Sequence, residues 1–361
     1  MKIGFLLNDL SSGGMEHFAA FTAGYFSSLN IDTGIVILSD KEPFYEMKKD
    51  VTLTKLGLCD ISALSGFKRL FAIMKKAFQI RTAVKKLDFD ILIGVGDIMS
   101  LYSLFCSVFT RTKCIGTERT NPEFNSGASV KLLRSICGRF SDGYVFQTEA
   151  QKKYYKSVRS YAVIPNAVYN EYAYNTDILR GEDKTVTSMG RLVDCKKQDD
   201  LIKAFQRVHN RFPEYTLTIF GEGENLETLE KLIASLGAED YISLPGAKPD
   251  AIKSVARSSV FVLPSLFEGF PNALLEALFC GIPCVSTDSG EGTRQLLENY
   301  KNGIIVNAGD TEGMAKAICD ILENEDIAEK FSLNALSSTR KYSMESIGRQ
   351  WIEYFNKILN H

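Results

Sequence analysis

Residues 261–288 read FVLPSLFEGFPNALLEALFCGIPCVSTD, and this stretch decides the fold. The apolar run Val260, Phe261, Val262, Leu263 stops at Pro264, which is the length and composition of a buried strand. A short loop follows with Glu268, Gly269, Phe270 and Pro271. Asn272 then stands where it can cap a helix opening with Ala273, Leu274, Leu275 and Glu276. The free N–H groups and positive dipole end of such a helix point back at the loop and attract anions. Gly281 and Pro283 end the helix, and Cys284, Val285 and Ser286 start a second strand, which makes a βαβ unit. Glu268 on the loop and Glu276 one turn into the helix flank the donor-rich entrance from different heights.

The same rhythm extends in both directions. Strands are expected over 3–7, 34–38, 91–95, 113–117, 143–146 and 161–164, with helices over 16–29 and 67–87 among them. A second series runs through 185–189, 215–220, 241–244, 260–263, 283–286 and 303–306, and helices follow over 326–336 and 344–359. Alternation of this kind means parallel sheets covered by helices, and two series mean two sheets. The expected division is 1–168, 169–340 and a closing helical segment 341–361, with the polar stretch from Ile164 to Asp183 as linker.

Composition agrees with two cores. The chain has 361 residues, 45% of them hydrophobic. Its net charge of −2 hides an asymmetry. Residues 1–168 hold 22 Lys and Arg against 15 Asp and Glu, and the remainder 20 against 29. A basic first half suits an anionic partner such as a membrane surface or a lipid phosphate, or an even spread of surface lysines. Interleaved aromatics on a recognisable platform, which nucleic-acid binding requires, are missing.

The eight cysteines stand singly, several in apolar runs, as buried reduced thiols of a cytoplasmic protein would. The first apolar run, Ile3 to Leu7, is too short for a signal peptide, and no run is long enough to span a bilayer. Any membrane contact is therefore expected to be peripheral. The helix over 67–87 offers one: Leu70, Ile73, Met74, Ala77, Phe78, Val84 and Leu87 form its expected packing face, and Lys68, Arg69, Lys75, Lys76, Arg81, Lys85 and Lys86 cover the rest. Lys131, Arg134 and Arg139 extend the basic patch.

Other loops at strand ends carry candidate binding groups. Gly13-Gly14 follows the first strand, where a doubly wound sheet binds ligands, and His17 behind it reads as a helix-surface residue. Glu118-Arg119 ends another strand; it reads as an ion pair or as an acceptor contact, with Arg119 holding a hydroxyl or phosphate. In the second half Gly190-Arg191-Leu192 ends a strand and Lys196 follows, two cations at a βα turn that can neutralise a pyrophosphate. Gly221-Glu222-Gly223, Gly246-Ala247 and Gly290-Glu291-Gly292 end later strands. Asp88-Phe89-Asp90 imitates a metal-binding D-x-D motif but sits between a helix and a strand, where an acid commonly ends a loop. It reads as structural, and no metal site is expected.

The segment EGFPNALLEAL, with its two glutamates at the same separation, resembles the signature of glycosyltransferase family 4, retaining nucleotide-sugar transferases of the GT-B fold. The resemblance spans both halves and is strong from about Gly190 to Asp310. It implies two Rossmann-like domains with parallel sheets facing across a cleft, and a final helix, bearing Trp351, that crosses back to the first domain. It further implies that a hexose or N-acetylhexosamine moves from a nucleotide diphosphate sugar, most often a UDP-sugar, to a lipid-linked or polysaccharide acceptor, with neither metal nor other cofactor.

By the same resemblance Glu268 meets the sugar hydroxyls and Glu276 the ribose, while Arg191 and Lys196 neutralise the diphosphate. Gly14, Gly190, Gly221, Ala247, Gly269, Phe270, Pro271, Asn272 and Ala273 line the donor. Gly13, Glu118 and Arg119 face the acceptor, and Glu118 takes the place of a histidine that many relatives set against the sugar. The rivals are a GT-B epimerase, a phosphorylase of the same fold, which would need a pyridoxal lysine that nothing in the sequence marks, and a non-catalytic sugar-nucleotide-binding module.

Overall fold

The chain divides into two units, Met1–Ala167 with Met344–His361, and Val168–Ser343. The structure, a computed structural model, describes residues 1–58, 65–122, 127–155, 157–168 and 183–360. Cys59 and most of the expected linker, 169–182, lie outside the described residues, as does the side chain of Leu70. The divisions fall at 167/168 and 343/344, beside the 168/169 and 340/341 expected from sequence.

The first unit holds a seven-stranded parallel sheet: β1 Lys2–Leu7, β2 Asp32–Ile37, β3 Thr52–Lys55, β4 Ile91–Val95, β5 Lys113–Thr117, β6 Gly143–Phe146 and β7 Tyr161–Val163, in the order β3-β2-β1-β4-β5-β6-β7. Its helices are α1 Gly14–Ser28, α2 Gly66–Leu87, α3 Asp97–Ser107, α4 Ala128–Phe140 and α5 Glu149–Lys152. The sequence pattern misses β3 because it is a short edge strand with no fully buried residue. The inner strands are buried on both faces, so they read as continuous apolar runs.

The second unit repeats the plan with six strands: β8 Asp183–Met189, β9 Thr216–Phe220, β10 Ile242–Ser243, β11 Ser258–Leu263, β12 Cys284–Thr287 and β13 Gly303–Val306, ordered β10-β9-β8-β11-β12-β13 and parallel throughout. Around it lie α6 Gln198–Arg211, α7 Leu226–Ser235, α8 Ala251–Val255, α9 Asn272–Phe279, α10 Glu291–Leu296, α11 Thr311–Glu323 and α12 Glu325–Thr339. Val186, Ile219, Val262 and Val285 from the sheet pack with Phe205, Ile318 and Phe331 from the helices in one core.

In both sheets the strand order reverses beside the first strand of the unit, between β1 and β4 and between β8 and β11. A reversal sends the two flanking crossovers to opposite faces and leaves a crevice at the carboxyl ends of those strands, where open α/β sheets bind ligands.

The last helix, α13 Met344–Leu359, belongs to the first unit. Ile347, Trp351, Tyr354, Phe355 and Ile358 recur at helical spacing and are all buried. Trp351 packs on Phe18 with ring centres 5.7 Å apart, and Phe355 meets Phe26 edge to face at 5.4 Å. The Tyr354 hydroxyl accepts the Tyr144 backbone N–H at 3.0 Å, tying the helix to β6. A side chain at Gly348 would collide with the Tyr25 ring.

Two surface expectations change. On α2 the anchoring residues are Ile80 and Val84, whereas Met74 and Phe78, expected in its packing face, are exposed. Arg134 cannot extend a basic patch because it is one of the buried residues of α4. Among the described residues no helix is long and apolar enough to cross a membrane, and no group of three or more His, Cys, Asp or Glu is gathered as metal ligands.

Candidate active site

The crevice of the second unit is built by the loops after β8 and β11, the strands on either side of the reversal. They are joined by backbone, since Leu266 donates its N–H to the Cys195 carbonyl at 2.8 Å. They are also joined by charge: Lys196 Nζ lies 2.6 Å from Glu268 Oε1, with only 18% and 11% of the two side chains exposed. Residues 72 positions apart thus form one charged cluster at the ligand-binding end of the sheet.

Glu268 is held from several sides. Ser265 Oγ donates to the same Oε1 at 2.7 Å, and the Glu268 N–H donates to the Ser289 carbonyl at 2.9 Å. The Thr287 hydroxyl in turn donates to the Ser265 carbonyl. Both side-chain bonds fall on Oε1, so Oε2 has no protein partner among the described residues. A fixed carboxylate with one oxygen committed and one open is an acceptor for ligand hydroxyls. The sequence pattern does not mark Ser265 or Thr287 as site residues. The available signal was Ser265 standing three residues before Glu268, within reach of its carboxylate.

Arg191 is exposed at the end of β8 and makes no ion pair among the described residues. Its carbonyl accepts from Gln198 Nε2 at 2.9 Å, which fixes the turn that presents it. Arg191 and Lys196 therefore put two cations on one βα loop, one of them shared with a carboxylate that an incoming anion must compete with.

The glycines here answer to backbone before ligand. Gly221 has φ 151°, and a Cβ on it would sit 1.9 Å from the Gly190 carbonyl oxygen. A Cβ on Gly223 would meet the Leu192 oxygen at 2.2 Å, and one on Gly292 would meet that of Gly269 at the same distance. The expectation that these glycines admit a ligand is thus recast: each lets one strand-end loop cross another. Ala247 follows Gly246, whose carbonyl accepts the Gly221 N–H at 3.0 Å, so it lies on the same rim.

Pro271 is the N-cap of α9, with no side-chain cap bond of its own, and Asn272 is the first helical residue. This corrects the expected Asn272 cap; proline fixes φ at the entry and lacks a donor of its own. The first-turn N–H groups around Asn272 and Ala273 lie at the positive end of the helix dipole, where anions bind. Phe270 is buried with its ring against Tyr342, centres 5.6 Å apart, which seats the loop on the second unit. Glu276, one turn on, is buried, and desolvation pushes its carboxyl up to about 8.

In the first unit Gly13 is the N-cap of α1, Gly14 its first residue, and the Tyr45 hydroxyl lies 3.3 Å from both the N–H and the carbonyl of Gly13. Glu16 curls its carboxylate over the same helix start, where a Cβ on Gly13 would touch it. Any anion bound there displaces an acid already in place. His17 is not the open surface residue expected. It packs between Phe21 and Tyr45, ring centres 4.4 and 4.9 Å away, and desolvation lowers its ring to about 4.

Glu118 and Arg119, expected to face the acceptor, are engaged by the protein's own groups. Glu118 is wholly buried at the end of β5. Its Oε1 accepts from the Thr120 N–H and hydroxyl at 2.9 and 2.7 Å, and its Oε2 from the Tyr155 hydroxyl at 2.9 Å. Arg134 lies 3.4 Å from Glu118 and 3.0 Å from Asp97. Arg119 stacks 3.6 Å over the Phe18 ring and donates to Asn166 Oδ1 at 2.8 Å. Sequence could not separate the buried cluster from a surface pair because the partners Asp97, Arg134 and Tyr155 are distant in the chain. Asp88-Phe89-Asp90 is structural: Asp88 caps α2 with φ 49°, and Asp90 accepts the Lys2 N–H at 2.7 Å.

Residues 176–337 match the family model described as Glycosyl transferases group 1. The chain is 27% identical over 353 residues to an uncharacterized glycosyltransferase of Haemophilus influenzae, with 97% of this chain and 98% of the relative covered. It is 23% identical over 364 residues to a Campylobacter jejuni enzyme named as a GalNAc-alpha-(1->4)-GalNAc-alpha-(1->3)-diNAcBac-PP-undecaprenol alpha-1,4-N-acetyl-D-galactosaminyltransferase, covering 100% and 99%. Among solved structures, Anabaena HepE in complex with UDP and glucose aligns with a TM-score of 0.80 at 18% identity, covering 99% of both chains.

Proposed function

We propose that this chain, a glycosyltransferase of GT-B fold, is a retaining hexosyltransferase of family 4 that moves a hexose or N-acetylhexosamine from a UDP-sugar to a lipid-linked or polysaccharide acceptor in cell-surface glycan synthesis. The observation that carries the reading is the Lys196–Glu268 contact across the strand reversal of the second unit. A nucleotide-sugar transferase must bind a diphosphate and a sugar side by side, and this contact sets a cation beside a carboxylate with one oxygen open to hydroxyls.

Leaving-group departure places negative charge on the diphosphate. Arg191, Lys196 and the first turn of α9 stabilise that charge, which needs no metal. Glu268 Oε2 accepts from the donor sugar, and Glu276 from the ribose. The acceptor is taken by the first unit, where the loop around Gly13, held by Tyr45, is the remaining candidate once Glu118 and Arg119 are assigned to packing. The acceptor hydroxyl attacks the face that the diphosphate leaves and gives its proton to the departing phosphate oxygen, which preserves the anomeric configuration without a covalent enzyme intermediate. Lipid-linked and polysaccharide acceptors are favoured by the relatives' names.

A thermal-shift panel with UDP, GDP, ADP and their sugars tests the donor class. Ligand at a hundred times its dissociation constant stabilises the fold by about 2.7 kcal/mol. The reading expects a UDP-specific rise that Arg191→Ala and Glu276→Ala reduce, with transfer products of retained configuration by NMR. No response to any nucleotide overturns it in favour of a binding module, and an epimerised free sugar nucleotide in favour of an epimerase.

A further inference from the structure

Phe71, Met74 and Phe78 recur at helical spacing along α2 and stand 72%, 53% and 57% exposed, while Ile80 and Val84 hold the helix to its unit. Lys75 and Lys86 line the same shallow surface groove as the three apolar chains. Lys68 and Lys85 are exposed nearby. The helix carries seven bases and no acid.

A second apolar group is tied to the first. The Arg81 guanidinium donates to the carbonyls of Phe105, Cys106 and Val108, closing the C-terminal end of α3, and the Phe105 ring meets Phe78 edge to face at 5.4 Å. Just beyond, Val108 is exposed and Phe109 is 99% exposed in a left-handed conformation, φ 55°. A bulky residue adopts that conformation at a cost, and here it presents a whole phenyl ring to the outside.

We propose that the outer row of α2, with the Val108-Phe109 tip, inserts into the interface of an anionic lipid bilayer while the surrounding lysines meet lipid phosphates. Large apolar chains in a row, rimmed by cations, fit the boundary between acyl chains and anionic headgroups. A second copy of this chain docked face to face would bring the same lysines together instead. The inference goes beyond a contact through the bases alone and is independent of which sugar or nucleotide the chain handles.

The test is co-sedimentation of the full chain with phosphatidylcholine vesicles made with and without phosphatidylglycerol. Four proteins are compared: wild type, the triple variant F71S/M74S/F78S, the variant K75A/K76A/K85A/K86A, and F78W. Wild type binds only the anionic vesicles. The lysine variant loses binding. The triple variant, altered only at exposed positions, keeps the wild-type melting temperature and partitions at least about tenfold more weakly, from the transfer energy of the lost apolar surface. Fluorescence from F78W shifts to the blue on binding and is quenched by brominated acyl chains. The proposal is overturned if wild type does not bind, if the triple variant binds like wild type, or if bound F78W escapes quenching. A lipid-free dimer in sedimentation velocity that the triple variant dissolves would equally overturn it by assigning the face to self-association.

Discussion

Lys196 Nζ stands 2.6 Å from Glu268 Oε1, and the two residues enter from the loops on opposite sides of the strand reversal in the second unit. Removing Lys196 leaves Glu268 with only Ser265, and removing Glu268 leaves a largely buried Lys196 without its carboxylate, so the variants separate their roles. Glu268→Ala is expected to lower kcat by about a hundredfold, the scale of one lost transition-state contact, with nucleotide affinity nearly unchanged. Lys196→Ala is expected to weaken UDP binding by about tenfold or more as well, since a charge-assisted contact to phosphate is lost. Steady-state kinetics with calorimetry on UDP distinguishes them. Equal loss of UDP affinity in both variants contradicts the assignment.

Glu276 gives a pH dependence with a definite sign. Its carboxyl is raised from 4.5 to about 8 by desolvation. Between those values the folded chain keeps a proton that the unfolded chain releases, so raising the pH favours unfolding. The stability this group contributes is complete below about pH 4.5 and is lost by about pH 8. Urea denaturation across that window should show the decline in the ligand-free wild type and a flatter profile in Glu276→Gln. Glu276→Ala should also weaken UDP binding by about tenfold or more, from the hydrogen bonds lost to the ribose. A pH profile identical in wild type and Glu276→Gln refutes the buried-acid account.

Gly221→Ala tests the backbone crossing at the end of β9. The new Cβ would lie 1.9 Å from the Gly190 oxygen in a conformation that L residues rarely adopt, so the β8 loop bearing Arg191 must move. A destabilisation of about 3 kcal/mol or more is expected, with loss of nucleotide binding. Gly237→Ala is the control. That residue also has positive φ, 61°, but has open space around it. It should cost about 1 kcal/mol and spare binding. Similar denaturation midpoints for the two variants would mean that the crossing is not constrained.

The frame was legible in the chain because both sheets are built from inner strands buried on two faces, which leave unbroken apolar runs such as Ile91–Val95 and Val260–Leu263. The second-unit site was legible for a related reason. Glu268 follows such a run in the loop after β11, Arg191 and Lys196 lie in the loop after the more polar β8, and strand ends are where an α/β sheet collects ligands. Partnerships over long separations were not legible. Nothing near Glu118 in the sequence reveals that Asp97, Arg134 and Tyr155 surround it. The helical pattern of α2 counted Met74 and Phe78 into its packing face, since periodicity records which residues share a side of a helix and not what covers that side.

The Glu118 cluster carries the last prediction. Two acids, Asp97 and Glu118, share one guanidinium, Arg134, and the Tyr155 hydroxyl lies 2.7 Å from an Asp97 oxygen and 2.9 Å from a Glu118 oxygen. One cation cannot neutralise both carboxylates. Desolvation, together with the charge of Asp97, raises Glu118 to about 7. A neutral amide at this position keeps the shape and removes the surplus charge, so Glu118→Gln should retain transferase activity within a few-fold and melt at or above the wild-type temperature near neutral pH. Arg134→Leu removes the cation and leaves the buried Glu118 and the partly exposed Asp97 without it, which costs about 3–5 kcal/mol. If Glu118 acted on substrate instead, Glu118→Gln would lose turnover by orders of magnitude at an unchanged melting temperature. Measuring both quantities on the same preparation separates the packing role from the chemical one.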